Sequence, residues 1–197
     1  VEAVFEGIIN SFLENKVGLT KDFLNEDLSD KLKENLLALL LKKQFKAAGI
    51  GANANLITNK AIRSDVIYWL DRKHDDAHEN SFFDLMDAFV SYLNRTCYTG
   101  ITGYEFHYAY YDKGTSYKRH LDQFKDNQKR AFSMIMYLNA DWVLADGGQL
   151  RIYHPKEAQT IDPTNGKCVF FKSSELEHEV LLSNKPRMSI TGWLRTD

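Results

Sequence analysis

Apolar positions in the first part of the chain recur every three to four places. Val4, Phe5, Ile8, Ile9 and Phe12 make one stripe, and Leu28, Leu32, Leu36, Leu39, Leu40 and Phe45 make a second. That spacing predicts two amphipathic helices, the second capped by Asn25 or by the pair Ser29 and Asp30. Residues 50–59 are rich in Gly and Asn and predict a loop. The run DVIYWL at residues 65–70 is β-branched and aromatic and predicts a strand. Phe82, Phe83, Leu85, Met86, Phe89, Val90 and Leu93 predict a third helix with a broad apolar face. Three such helices carry more apolar surface than they can bury on one another, so a sheet is expected against them.

From about Tyr104 the period changes to two. EFHYAYY, AFSMIMYLN, GQLRIYH, KCVFFK, HEVLLS and RMSITGWLR all read as strands, separated by the turn-forming sequences DKG, NADW, ADGG, DPTNG and SNKP. Strands at this spacing without intervening helices predict an antiparallel sandwich or barrel. With no internal repeat and no Pro- or Gly-rich linker, the expectation is one mainly β domain with an N-terminal helical layer.

Composition narrows the class. The chain has 197 residues, with 25 Lys and Arg against 27 Asp and Glu and a formal net charge of −2. A near-neutral surface lacks the cationic field that nucleic-acid binding needs, so no nucleic-acid partner is expected. Two cysteines, Cys97 and Cys168, cannot form a disulfide scaffold and predict free thiols in a reducing, cytoplasmic setting. The longest apolar run, residues 36–41, ends at Lys42 and Lys43, so no membrane span is expected. The start carries Glu2 and Glu6 without a basic stretch, and no secretory signal is expected there.

The candidate chemistry begins with RHLDQF. On an extended chain the side chains of His120 and Asp122 leave the same face, where an imidazole and a carboxylate can hold neighbouring positions on a divalent metal. His178, in the later strand EHEV, supplies a second imidazole. Two histidines and one carboxylate with open positions is the ligand set of non-haem Fe(II) oxygenases. The turn SNKP is expected to pair the strand of His178 with that of Arg187 as a hairpin, bringing Arg187 near the metal. A guanidinium there offers a planar fork to a carboxylate, which suits the far end of 2-oxoglutarate.

The segments YYDKGTSYKRHLD, SMIMYLNADW, GGQLRIY, VFFKSSELEHEV and PRMSITGW occur in this order between residues 63 and 193. In these the chain resembles the prolyl 4-hydroxylase family of 2-oxoglutarate/Fe(II) oxygenases. It is most similar to the branch that hydroxylates hypoxia-inducible factor and to its bacterial relatives. The resemblance implies a double-stranded β-helix, or jelly roll, over residues 61–197, with residues 1–60 as helical support. It places His120, Asp122 and His178 on the iron ligands and Arg187 on the 2-oxoglutarate carboxylate. Tyr137 falls on a phenol that bonds the same carboxylate, and Tyr110 on a tyrosine near the iron-bound end. Leu150, Val180, Thr191 and Trp193 fall on pocket walls. Arg63 and Asp65 fall on the start of a finger loop over the substrate, and Arg130 on a substrate-side arginine. The chain departs from the branch at Ser64, where the family has Gly, and at Met136, where it has a second Tyr. The activity implied is hydroxylation of a prolyl residue in a protein, a translation factor being one candidate. O2 and 2-oxoglutarate are consumed, succinate and CO2 are released, and ascorbate serves as reductant.

The same residues allow other readings. The same chemistry could act on another residue or a small molecule, and a jelly roll with these ligands could be a metal-binding sensor without turnover. Nucleic-acid demethylases of the superfamily carry Asn two places and Arg six places after the carboxylate-binding Arg; here those places hold Ser189 and Trp193. His74 and His78 in HDDAH could share a helical face and a zinc ion, but the polar segment around them reads better as a solvated loop. His107 and His154 read as satisfied strand histidines. Ser133, Cys97 and Cys168 have no recognisable base nearby in sequence. Lys118, Arg119, Lys125, Lys129 and Arg130 form a basic cluster around His120 and Asp122, either solvated or a rim for a peptide.

Overall fold

The structure is a computed structural model that describes residues 1–49, 62–123 and 128–197. The loop expected at residues 50–59 and the basic residue Lys125 lie outside them.

The three predicted helices form. Helix α1 (Glu2–Asn15) buries Phe5, Ile8 and Ile9, α2 (Glu26–Leu41) buries Leu32 and Leu36, and α3 (Ala77–Cys97) buries Phe82, Phe83, Met86, Phe89 and Leu93. Asn25 is the cap that α2 uses: its side-chain oxygen accepts from the Leu28 amide at 2.8 Å, while Ser29 lies inside the helix. Asp76 caps α3 by accepting from the amides of His78 and Glu79. Part of the polar segment expected as a loop is therefore the start of α3. Its His74 pairs with Glu79 at 3.0 Å. Among the described residues no helix is long and apolar enough to cross a membrane.

Eleven strands are described: β1 (Val17–Thr20), β2 (Lys46–Ala47), β3 (Val66–Trp69), β4 (Gly103–Tyr111), β5 (Tyr117–His120), β6 (Arg130–Tyr137), β7 (Leu150–Tyr153), β8 (Ala158–Ile161), β9 (Cys168–Lys172), β10 (Glu177–Val180) and β11 (Arg187–Arg195). They form a seven-stranded sheet in the order β1-β9-β6-β11-β4-β3-β2 and a four-stranded sheet in the order β5-β10-β7-β8. All pairings are antiparallel. This is the jelly-roll architecture, mainly β with helices on one side.

Strand alternation divides the apolar residues between two cores. On the outer face of the large sheet, Phe106, Tyr108, Met134, Met136, Phe170, Ile190 and Leu194 pack against the helices. On its inner face, Ala109, Tyr111, Ile135, Tyr137, Val169 and Phe171 meet Leu150, Ile152 and Val180 of the small sheet. The chemistry-bearing residues lie on this inner face.

Two expectations need correction. The N-terminal third is not only a helical support, because residues 17–20 pair with β9 as the edge of the large sheet. Gly18 permits this: a Cβ there would sit 2.6 Å from the Ile8 carbonyl oxygen of α1. Further, β10 and β11 are not a hairpin. Strand β10 pairs with β5 and β7, and β11 pairs with β4 and β6 in the other sheet. The turn SNKP crosses between sheets, so Arg187 approaches His178 from the opposite side of the sandwich.

Candidate active site

His120 and His178 are directly opposed in the β5–β10 pair. Their ring centroids are 4.3 Å apart. Each ring is oriented by a backbone carbonyl. His120 Nδ1 lies 2.7 Å from the Lys118 oxygen and His178 Nδ1 lies 3.2 Å from the Leu176 oxygen. A proton on each Nδ1 makes these hydrogen bonds and leaves each Nε2 with a free lone pair. Both Nε2 atoms face Asp122: His120 Nε2 is 3.4 Å from Oδ1 and His178 Nε2 is 3.5 Å from Oδ2. One donor atom from each residue lies within 4.8 Å of the others. Metal bonds of about 2.1 Å at right angles put neighbouring donors about 3 Å apart, so a slight contraction around a divalent ion suits this set.

Asp122 is held as a carboxylate. Burial alone would raise its pKa, but His178, His120 and a hydrogen bond from Ser133 together bring it well below the usual carboxylate range. The Ser133 hydroxyl donates to Asp122 Oδ2 at 2.7 Å and lies 2.9 Å from the Ser173 hydroxyl. Burial pushes the His178 imidazole down, with Asp122 opposing. Neutral imidazoles and an ionised carboxylate are the forms that bind a metal. Tyr117 stacks on His120 at 3.6 Å and Phe171 meets the His178 ring edge-on at 4.9 Å, which fixes both rings. By sequence alone Ser133 is a hydroxyl with no recognisable base beside it. Its parity on β6, shared with the inward-facing Ile135 and Tyr137, turns it into the site.

Arg187 is 1% exposed. Its Nε donates to the Gly148 carbonyl at 2.8 Å, and its guanidinium lies 4.9 Å from the Tyr111 ring centre and 5.0 Å from that of Tyr137. No carboxylate among the described residues pairs with it. A buried, uncompensated cation costs several kcal/mol. The Tyr137 hydroxyl is buried without a hydrogen-bond partner. Burial pushes its pKa up to about 12, against the pull of Arg187, so it remains a donor. The site thus offers a guanidinium fork and a phenol to an anion. His120, Asp122, His178 and Arg187 line one cavity, with Leu150, Val180, Thr191 and Trp193 as further walls.

The sequence assignment of Tyr110 is corrected by strand parity. On β4, His107, Ala109 and Tyr111 face the cavity, whereas Tyr110 packs with the helix-side core. Tyr111 is the inner tyrosine, fully buried, and its phenol pKa is pushed up mainly by burial. Its position next to the turn at Asp112 hid this in the sequence, where two adjacent tyrosines are interchangeable.

On the outer side the cavity opens into a cleft of about 410 Å³ whose wall includes Arg63, Trp69, Tyr117, Asp122, Arg130 and Trp193. Arg63 holds Asp65 through two hydrogen bonds of 2.8 and 3.0 Å and lies over the Tyr117 ring at 4.7 Å. Asp65 is buried by this pairing, so Arg63 rather than Asp65 presents itself to the cleft. Arg130 binds Glu105 at 2.9 Å and covers the Trp193 ring at 3.4 Å. Of the basic cluster, Arg119 pairs with Glu177 and Lys129 with Asp197.

His107 differs from its expected state. It is buried, and neither ring nitrogen has a hydrogen-bond partner. His154, by contrast, contacts Gln159 at 3.2 Å, but it lies just past the end of β7 and not within a strand. Among the described residues no metal-type cluster forms around His74 and His78.

The comparisons agree with this geometry. A model of the 2OG-Fe(II) oxygenase superfamily matches residues 106–195. The chain is similar to the crystal structure of a Pseudomonas putida prolyl-4-hydroxylase, with a TM-score of 0.88, 29% identity, and 98% of this chain and 99% of that chain covered. It is similar to a Trichoplax adhaerens prolyl hydroxylase in complex with a hypoxia-inducible-factor peptide fragment, with a TM-score of 0.87, 26% identity, and 99% and 90% covered. A viral collagen prolyl hydroxylase from Paramecium bursaria Chlorella virus-1 shares the fold, with a TM-score of 0.64, 17% identity, and 93% and 97% covered. The superfamily match over residues 106–195, these neighbours and the convergence of His120, Asp122 and His178 together support a 2-oxoglutarate-dependent dioxygenase built on a 2OG-Fe(II) oxygenase domain.

Proposed function

We propose that this dioxygenase hydroxylates a prolyl residue in a protein or peptide. The observation that carries the reading is the buried guanidinium of Arg187, unpaired with any described carboxylate, in the cavity that also receives His120, Asp122 and His178. In this reading the two Nε2 atoms and the Asp122 carboxylate hold Fe(II). Arg187 and the Tyr137 hydroxyl hold the far carboxylate of 2-oxoglutarate, with Tyr111 beside them in place of Tyr110. When bound, the iron and 2-oxoglutarate supply the oxidising chemistry by which one atom of O2 enters a C–H bond and the other leaves in succinate, with loss of CO2.

The protein's own residues orient and enclose. The carbonyls of Lys118 and Leu176 set the histidine tautomers, and Ser133 fixes the carboxylate. Leu150, Val180, Thr191 and Trp193 form a largely apolar wall that limits water near the reacting atoms. Arg63, held by Asp65, and Arg130, stacked on Trp193, stand in the wall of the outer cleft, where a peptide would enter. Support for a prolyl peptide comes from the similarity to two prolyl hydroxylases, one of them bound to a peptide. A translation factor as the protein substrate, ascorbate as the reductant that keeps iron divalent, and a cytoplasmic setting complete the proposal.

The test is conversion of 2-oxoglutarate to succinate by protein supplied with Fe(II) and ascorbate, with proline-containing peptide pools screened for the mass gain of one oxygen. The expected result is succinate formation with the added oxygen mapped to proline. Succinate formation with oxygen mapped to another residue type overturns the prolyl assignment.

A further inference from the structure

His107 lies where the inner cavity meets the outer cleft and lines both. It is 1% exposed, and neither Nδ1 nor Nε2 has a hydrogen-bond partner. Trp193, 5% exposed, has its indole Nε1 in the same condition. The two rings are neighbours, with centroids 5.6 Å apart, and Trp69 closes on His107 from the other side at 4.9 Å. His107 is held at this place by its pairing with Thr191 in the β4–β11 register. The Trp193 plane is held by the Arg130 guanidinium stacked on it.

Buried polar groups without partners are rare and each costs about 1–3 kcal/mol. Two side by side, in the wall of a cavity between aromatic rings, point to a polar group on the ligand. The neutral imidazole carries one donor and one acceptor, and the indole carries one donor. Burial and the nearby charges of Arg63 and Arg130 keep the imidazole neutral. A carboxylate ligand would satisfy only the donors and leave one ring nitrogen bare. A neutral group with both a carbonyl oxygen and an N–H satisfies both functions, and that is the composition of a peptide amide.

We propose that His107 and the Trp193 indole N–H form a specificity-determining pair that holds a backbone amide of the substrate next to the reacting residue. This rests on the reading of the outer cleft as a peptide site, and it does not depend on which residue type is hydroxylated.

The test uses protein loaded with Zn(II) and 2-oxoglutarate and labelled with 15N-histidine. Binding of the blocked tripeptide acetyl-Ala-Pro-Ala-amide is followed by the His107 ring-nitrogen resonances and by titration calorimetry. His107→Phe keeps a ring without either nitrogen, and His107→Gln restores one donor and one acceptor. Saturable shifts of the His107 resonances are expected. Affinity should fall about tenfold in His107→Phe and return toward the wild-type value in His107→Gln. Equal binding of the all-alanine blocked tripeptide, with the same dependence on His107, supports the pair while counting against the prolyl assignment. Wild type and His107→Phe binding the peptide equally, with His107 resonances unmoved, overturns the inference. So does the absence of any amide binding to the wild type, or tighter binding of acetyl-proline, a carboxylate, than of the blocked tripeptide. Should His107→Phe fail to fold, the wild-type resonance shifts and the His107→Gln affinity decide the question.

Discussion

The Ser133 hydroxyl, from the large sheet, donates to Asp122 Oδ2 at 2.7 Å. Asp122 follows β5 of the small sheet, so the bond ties the metal-facing carboxylate to the opposite side of the sandwich. A partner of this kind tunes affinity by orienting the ligand. Ser133→Ala should weaken metal binding about ten- to a hundredfold, read by Mn(II) titration under electron paramagnetic resonance. Unchanged affinity in a folded variant would mean that Asp122 is positioned by other contacts.

Arg187 is supported by the turn at Gly148, which adopts φ +64. A Cβ there would come within 2.8 Å of the Ser183 hydroxyl and 3.1 Å of Arg187 Cδ. Arg187→Lys keeps the charge but loses the planar fork and the bond to the Gly148 carbonyl. It should raise the KM for 2-oxoglutarate at least about thirtyfold, the scale of losing a buried charge-assisted pair. Gly148→Ala should raise it in the same direction, through displacement of Arg187. Steady-state succinate assays over a range of 2-oxoglutarate concentrations check both.

The two adjacent tyrosines are separable by experiment. Tyr111 faces the cavity and lies under Arg187, whereas Tyr110 packs on the helix side. Tyr111→Phe should raise the KM for 2-oxoglutarate, and Tyr110→Phe should leave it within about twofold of wild type, as outlying substitutions usually do. The reverse outcome would contradict the strand parity described for β4.

Acid should destabilise the metal-free protein. Burial holds the pKa values of His107 and His178 below the ordinary histidine value; Arg63 and Arg130 add to the effect at His107, and Asp122 opposes it at His178. With folded values below unfolded ones, the unfolded chain binds more protons as pH falls. Stability is therefore full above the unfolded value of about 6.5 and is lost as pH drops toward the folded values. Each such histidine contributes at most about 1.4 kcal/mol per pH unit in that window. The Tm measured by calorimetry should fall between pH 6.5 and 5, and His107→Phe should flatten the dependence. A Tm independent of pH across this range would contradict the burial assigned to both rings.

The parts of this site legible in the sequence are those set by strict strand spacing. His120 and Asp122 stand two apart, and Arg187 and His178 stand in clear period-two runs. The parts that were not legible depend on which strands become neighbours. The turn SNKP has the composition of a hairpin, yet it crosses between sheets, because β5 and β7 already occupy both edges of β10. The strand at Val17–Thr20 is too short to show a period, and only its pairing with β9 defines it. Ser133 and His107 are ordinary strand residues by type; their significance appears once the sandwich closes and brings Asp122 to one and Trp193 to the other.

The most direct measurement is anomalous diffraction from crystals grown with Mn(II), standing in for Fe(II), and 2-oxoglutarate. The expected density is one metal peak bonded to His120 Nε2, Asp122 and His178 Nε2, with the cosubstrate's far carboxylate on the Arg187 guanidinium and the Tyr137 hydroxyl. A metal bound elsewhere, or 2-oxoglutarate bound with Arg187 facing away from it, would contradict the assignment of this cavity as the oxygenase centre.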